Sequence, residues 1–144
     1  MAGVQTMATT LTLVKTSSET SDTVLAHLTS IGEQSTEAEE IDVTTLDSPN
    51  GNKEFIQGAK DPGSVEVSAN NCFDGQVEIL ESLFASGEVR TWKETYPETA
   101  SGTVGTLTYT GYISSLTHGE ATTDGLASVA FTIRLSGQPT YAEA

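Results

Sequence analysis

Two stretches of the chain carry the clearest structural signal: TVGTLTYTGYISSL at residues 103–116 and LASVAFTIRL at residues 126–135. In both, apolar and polar side chains alternate, which is the period of a β-strand with one covered face. The polar connection between them ends in Asp124-Gly125, a sequence typical of hairpin turns. These stretches predict two long strands that are neighbours in the chain.

Working outward, the rest of the chain predicts shorter strands and one helix. Residues 74–86 have apolar side chains at helical spacing, with Asp74 placed to cap the start and Gly87 to end it. The predicted fold is mainly β with one α-helix: a two-sheet β-sandwich or barrel of about seven strands, with the helix flanking it and a long loop at residues 47–63. The shorter strands are predicted at residues 11–14, 24–31, 41–46, 64–70 and 88–96. A helix at residues 35–41, just before the strand at 41–46, is an alternative.

The composition indicates one acidic domain over residues 1–144. Twenty Asp and Glu against six Lys and Arg give a formal charge of −14, which argues against binding nucleic acid through clustered cations. Cys72 is the only cysteine, so no intrachain disulfide can form and a secreted disulfide scaffold is excluded. No apolar run approaches the roughly 20 residues that span a bilayer, and no membrane partner is expected.

No motif indicates an enzyme, a cofactor or a metal site. His27 and His118 stand far apart and neither has a metal-ligand spacing, and no G-x-S-x-G nucleophile elbow occurs. Acids and amides at residues 47–54 are explained better by turns than by calcium binding. The acidic residues 37–42 are read either as a solvated face or as a surface that a polyanion passes without sticking.

The loop predicted at residues 47–63 is longer than compact domains normally tolerate without a purpose. Its middle holds two large apolar side chains, Phe55 and Ile56, beside Lys53 and Glu54. Apolar groups in a polar loop need a partner, which is either this subunit's own core or another chain.

Several of these features, in their order and spacing, resemble the major tail tube proteins of long-tailed, non-contractile bacteriophages. The resemblance covers about residues 24–138. The type VI secretion tube protein is a relative of that family in fold. The residues that carry it are IDVTTLDSP at 41–49, the long loop to Gly63, VEV at 65–67, the helix to Gly87, Trp92 and Pro97, GYI at 111–113, and LSG at 135–137.

The resemblance implies a structural virion protein. Subunits of that family form hexameric rings whose inner sheets make one continuous β-barrel, and the rings stack into a hollow tube that conducts the phage DNA without binding it specifically. The expected partners are further copies of the chain, the tape-measure protein, the tail terminator and the distal tail protein. The expected location is the virion tail, assembled in the bacterial host cytoplasm, with arms at residues 1–22 and 137–144 that help to join rings.

The resemblance also assigns roles to particular residues. In the long loop, Lys53, Glu54, Phe55 and Ile56 are the expected contacts between rings and subunits. The expected acidic groups facing the lumen are Glu40, Asp42 and Glu120. The alternative function is a monomeric β-sandwich binding or adhesin module, in which the aromatic residues Trp92, Tyr96, Tyr109 and Tyr112 would make the contacts. For Trp92 and Tyr96, packing in the core is favoured over base stacking.

Overall fold

The computed structural model describes residue 5 and residues 7–144, which form ten β-strands, one α-helix and a single 3₁₀ turn, Pro49–Gly51. The helix α1 is Gln76–Ser86. The strands are β1 Thr10–Leu13, β2 Thr23–Leu25, β3 Leu28–Ile31, β4 Glu37–Asp42, β5 Phe55–Asp61, β6 Ser64–Asn70, β7 Arg90–Thr95, β8 Gly105–His118, β9 Ser128–Leu135 and β10 Thr140–Glu143.

The long strand β8 organises the main sheet, which is antiparallel and has the order β2-β1-β7-β8-β9-β6-β3. β7 pairs with residues 106–111 of β8, whereas β9 pairs with residues 111–118 on the opposite edge. β10 pairs with residues 105–108 on the same edge as β9. The changeover of β8 from pairing with β7 to pairing with β9 falls at Gly111. A Cβ atom there would lie 2.5 Å from the carbonyl oxygen of Arg134, so only glycine fits.

This changeover divides the sheet into two halves that face each other. We call β2, β1, β7, β10 and the start of β8 the first half-sheet, and the end of β8 with β9, β6 and β3 the second half-sheet. Buried side chains of both halves form one apolar cluster, in which the rings of Trp92 and Phe131 lie 6.0 Å apart. Trp92 also donates its indole hydrogen to the carbonyl oxygen of Gly111, at 3.2 Å. The predicted two-sheet, β-dominated architecture is confirmed.

The helix closes this core from one side. Leu80 and Leu83 are buried in the apolar cluster, and the helix packs against β8. It ends as predicted, since Gly87 adopts a left-handed φ of +66° and its N–H bonds the carbonyl oxygen of Leu83. Two details differ from the helical pattern predicted for residues 74–86: Gly75 and not Asp74 is the capping residue, and Phe84, one of the apolar side chains at helical spacing, is 42 % exposed.

The predicted strand at residues 24–31 is divided into β2 and β3. The break lies at His27, whose φ is +62°, because the chain there leaves one end of the sheet for the other. Gln76 holds this bend against the helix, since its side-chain amide accepts from the N–H of Ala26 and donates to its carbonyl oxygen.

The prediction of a loop throughout residues 47–63 is wrong in its second half, because Phe55–Asp61 is the strand β5. It pairs with β4, which begins at Glu37 and excludes the alternative helix at 35–41. Backbone pairing stabilises β5 although its side chains do not alternate between polar and apolar.

The expected C-terminal arm at 137–144 contains β10, and the expected N-terminal arm contains β1, while residues 1–4 and 6 of that arm lie outside the described residues.

Candidate assembly surfaces

A two-stranded hairpin projects from the second half-sheet. We call residues 37–61 the arm. Its strands β4 and β5 pair with each other, from Glu37 opposite Asp61 to Asp42 opposite Phe55, and form a sheet separate from the main one. Every residue of β4 is exposed, and so is every residue of β5 except Gly58. An isolated hairpin is marginally stable in water, so the exposed arm is a candidate assembly surface.

Hydrogen bonds between side chains and backbone order the tip of the arm. The N–H of Glu54 donates to the hydroxyl of Thr44 at 2.7 Å, and the carboxylate of Glu54 accepts from the hydroxyl of Ser48 at 2.9 Å. The carboxylate of Asp42 accepts from the N–H of Thr44, and the hydrogen bonds from Thr44 lower the pKa of Asp42. The tip is therefore ordered within the subunit, and Glu54 has a role there.

The ordered tip presents apolar side chains to solvent. Phe55 is 47 % exposed and Ile56, which lies opposite Ile41, is 54 % exposed. The side chain of Lys53 makes no ion pair with any described residue. These side chains do not fold back onto the core of their own subunit. Ile56 shares one side of the arm with Ile41, and Phe55 lies opposite Asp42 on the other side, so both sides of the arm expose apolar groups.

The root of the arm is attached firmly to the second half-sheet. The guanidinium of Arg134, on β9, lies 3.1 Å from the carboxylate of Asp61 at the end of β5. That carboxylate also accepts from the N–H of Gly63, and this bond is the main reason that the pKa of Asp61 is lowered. Gln34 adds a hydrogen bond to the carbonyl oxygen of Pro62. The position of the arm is thus set by β9.

Two strand edges of the second half-sheet have no strand partner among residues 7–144. One is the outer edge of β3, which pairs with β6 on its other side. The second is the edge of β8 beyond Gly111, where β7 no longer follows. Because neighbouring strands are antiparallel throughout the order β8, β9, β6, β3, these two edge strands run in opposite directions. Unpaired edges of this kind are templates for pairing with another chain.

The face of the second half-sheet that points away from the core is polar and almost uncharged. Its charged side chains on the strands are Glu66 and Arg134, and Arg134 is already bound to Asp61. Tyr112 lies opposite Arg134 on the same face. We call this surface the hydroxyl face; its remaining members are Ser30, Ser64, Ser68, Asn70, Ser115, Thr117, Ser128, Ala130 and Thr132.

One carboxyl group is buried in the first half-sheet. Glu94 is 6 % exposed, and burial raises its pKa although the hydroxyl of Tyr96 donates a hydrogen bond to it. Glu94 and Tyr96 line a groove of about 750 Å³ beside β3. The neighbouring Tyr109 hydroxyl is buried and has no hydrogen-bond partner among the described residues, and burial raises the pKa of that group as well.

The aromatic face that a binding module would need does not form. Trp92 and Tyr109 are buried in the core, and only Tyr112 of the expected set is exposed. Core packing of Trp92, the favoured interpretation, is confirmed. Among the described residues no group of His, Cys, Asp and Glu could hold a metal ion, and no helix is long and apolar enough to cross a membrane.

The structure separates the three acidic residues expected at the lumen. Glu40 and Asp42 lie on β4 of the arm, close to Phe55 and Ile56, whereas Glu120 lies in the exposed connection between β8 and β9. The arm therefore brings together residues expected at the lumen and residues expected between rings. Sequence reasoning missed the unpaired edges of β3 and β8, because an edge depends on sheet order, which one chain's alternation does not encode.

Comparison with known proteins identifies relatives of this fold. The family model described as lambda phage tail tube protein matches residues 7–142. No curated protein is similar enough to count as a match. The structure resembles the tail of an empty gene transfer agent particle with C6 symmetry (TM-score 0.69, 23 % identity, covering 92 % of this chain and 94 % of the other). It also resembles the SPP1 tail tube (TM-score 0.70, 12 % identity, 96 % and 78 %) and an anti-feeding prophage baseplate chain (TM-score 0.68, 6 % identity, 100 % and 97 %).

The buried carboxyl predicts a specific pH dependence of stability. Because the pKa of Glu94 is raised in the folded chain, the native state loses stability relative to the unfolded state as pH rises above the ordinary value of 4.5 and Glu94 ionises. We expect Glu94→Gln to be more stable than the wild type at neutral pH and equal to it at acidic pH. Urea unfolding at several pH values measures this difference. The exposed Glu88→Gln is the control, and equal curves for Glu94→Gln and wild type at neutral pH would contradict the prediction.

Proposed function

Since the chain belongs to the lambda phage tail tube protein family, we propose that six copies form a ring and that the rings stack into a tube for the passage of DNA. The protein is a structural subunit of a virion tail tube, and the family match over residues 7–142 carries this conclusion. The number six is supported by the C6 symmetry of the similar gene transfer agent tail. The family favours this role over that of a monomeric binding module.

The rings close through the two unpaired strand edges. The outer edge of β3 in one copy pairs with the β8 edge beyond Gly111 in the next copy, because these edges run in opposite directions and extend the antiparallel order. The end strands of the first half-sheet, β2 and β10, run in the same direction, so a ring closed through them would break the antiparallel order. The second half-sheet is therefore the part that closes into a barrel, which leaves no open edge.

The arm connects one ring to the next. Phe55 and Ile56 are half-exposed on a hairpin ordered by its own hydrogen bonds, so the arm binds without first having to fold. Lys53 supplies a cation that makes no ion pair with the described residues of its own subunit, and an acidic neighbouring copy offers many carboxylates. Glu54 contributes by bracing the tip through Ser48.

Charge assists the passage of DNA. Six copies at −14 each give −84 per ring, so the tube as a whole repels a phosphate backbone. Glu40 and Asp42 on the arm, and Glu120 on the β8–β9 connection, supply negative charge near the boundaries of each ring. The tape-measure protein, the tail terminator and the distal tail protein are the proposed partners inside the tube and at its two ends, as in the family that the sequence resembles.

Assembly tests the proposal directly. Negative-stain electron microscopy of concentrated protein should reveal rings or tubes with a central hole. In the assembled form, hydrogen exchange should slow at β3 and at residues 112–118, because their free backbone groups become paired, while β7 is already paired in the monomer and serves as the internal control. Rings whose β3 and β8 amides exchange as fast as in the monomer would overturn the edge pairing, and a protein that stays monomeric even with tail initiator would overturn the function.

Truncating the arm's aromatic residue should weaken stacking alone. We expect Phe55→Ala to raise the protein concentration needed for tube formation about tenfold, a typical loss for one buried anchor residue. The melting temperature of the monomer should not change, because Phe55 lies outside the core. The control is Phe84→Ala, a phenylalanine of similar exposure on the helix. A large drop in the monomer's melting temperature for Phe55→Ala would show instead that this side chain stabilises its own subunit.

Reversing a charge on the arm should slow DNA passage. Glu40→Lys should leave tube assembly intact and slow genome ejection from particles that carry it, because each ring then gains positive charge near the path of the DNA. Glu39→Lys is the matched control, since neighbouring residues of a strand project to opposite sides. Normal ejection from the Glu40→Lys particles would remove Glu40 from the lumen.

A further inference from the structure

We infer that the wall of the bore is the hydroxyl face of the second half-sheet, and that duplex DNA passes it because the wall is nearly neutral, hydroxylated and free of available cations. The inference rests on the proposed function and adds the chemistry of the surface that the DNA meets. The expected acidic groups Glu40, Asp42 and Glu120 then lie around this wall, on the arm and the β8–β9 connection, and not on its strands.

The position of the wall follows from where the mass of the subunit lies. A closed barrel of second half-sheets has one side facing its axis and one facing outward. In each copy, the first half-sheet and the helix pack on the core side of the second half-sheet, through the cluster that includes Trp92, Leu80 and Phe131. That bulk would fill the hole if it faced the axis. The opposite side, which is the hydroxyl face, must therefore line the bore.

The chemistry of this face suits a polyanion in transit. Affinity for duplex DNA comes mainly from Lys and Arg that replace condensed counterions at the phosphates. The only cation on the strands of the hydroxyl face is Arg134, whose guanidinium is bound to Asp61. Because Arg134 is paired with Asp61, Glu66 leaves this face with one net negative charge per copy. No available positive charge remains on the strands of the wall, so the phosphates find nothing to bind.

The small polar side chains keep the wall wet. Short hydroxyls such as Ser68, Ser128 and Thr132 hold water through hydrogen bonds and have no long stems that could enter the grooves of DNA. Tyr112 is the one large side chain on the face, and it lies opposite Arg134 at the edge proposed to pair with the next copy. Contact between DNA and wall is therefore made through water that exchanges easily, which gives low friction without strong repulsion.

A pair of matched lysine substitutions tests the inference in assembled tubes. Ser68 lies in the middle of the hydroxyl face, between Ser30 and Ala130, and Thr91 lies opposite Thr110 on the outward side of the first half-sheet. Both side chains are partly buried hydroxyls on strands. We expect Ser68→Lys tubes to retain about tenfold more duplex DNA inside than wild-type tubes at low salt, with the excess lost at high salt. Thr91→Lys tubes should retain no more inside than the wild type.

Equal retention by the two variants, or greater retention by Thr91→Lys, would overturn the inference. A second measurement covers the case in which a lysine blocks assembly. In a Cys72→Ser background, Ser68→Cys in assembled tubes should react with a small maleimide but not with one carrying a long polyethylene glycol chain, whereas Thr91→Cys should react with both. Reaction of Ser68→Cys with the large reagent would place this face outside the bore. If wild-type protein formed no tubes, the proposed function itself would fail before either variant was compared.

Discussion

The architecture depends on one constraint, the double use of strand β8. A strand offers two rows of backbone groups, and β8 gives one row to β7 up to Gly111 and the other to β9 from Gly111 onward. The missing side chain at Gly111 allows the carbonyl oxygen of Arg134 to approach closely at this changeover. Both half-sheets and the core between them follow from it, because the same strand is an inner member of each.

The same constraint leaves the subunit incomplete. Where β8 has lost β7, its backbone groups on that side have no strand partner among the described residues, and neither do those of the outer edge of β3. Buried or interfacial backbone groups must be paired to avoid a free-energy cost, so these two different edges are the ones that we propose to pair between copies. The arm adds apolar side chains, among them Phe55 and Ile56, that are about half exposed to solvent. Stability of the single chain and capacity to assemble are therefore carried by different residues: the buried cluster around Trp92 and Phe131, and the exposed edges and arm.

The sequence predicted those parts of the fold in which side-chain pattern and backbone pairing agree. Strand β6 has the predicted bounds 64–70, and β8, β9 and the helix lie within two residues of their predicted ends. The pattern failed at β5, where Phe55, Ile56 and Gln57 give no alternation because neither side of the arm packs on a core. It also failed at His27, where the chain crosses between sheet ends and tertiary contacts with the helix impose the bend. Phe55 and Ile56 lie exposed, and their role as contacts between rings stays a prediction. The unpaired edges depend on a strand order that local pattern does not contain.

The way in which the arm is attached has a mechanical consequence. Its two strands share a ladder of their own, and the link to the body is the short root held by Arg134 and Gln34. In the proposed tube, hydrogen bonds close each ring and only the arms join one ring to the next. Bending of the tail would then be taken up between rings, and the cross-section of the channel would stay constant along a curved path.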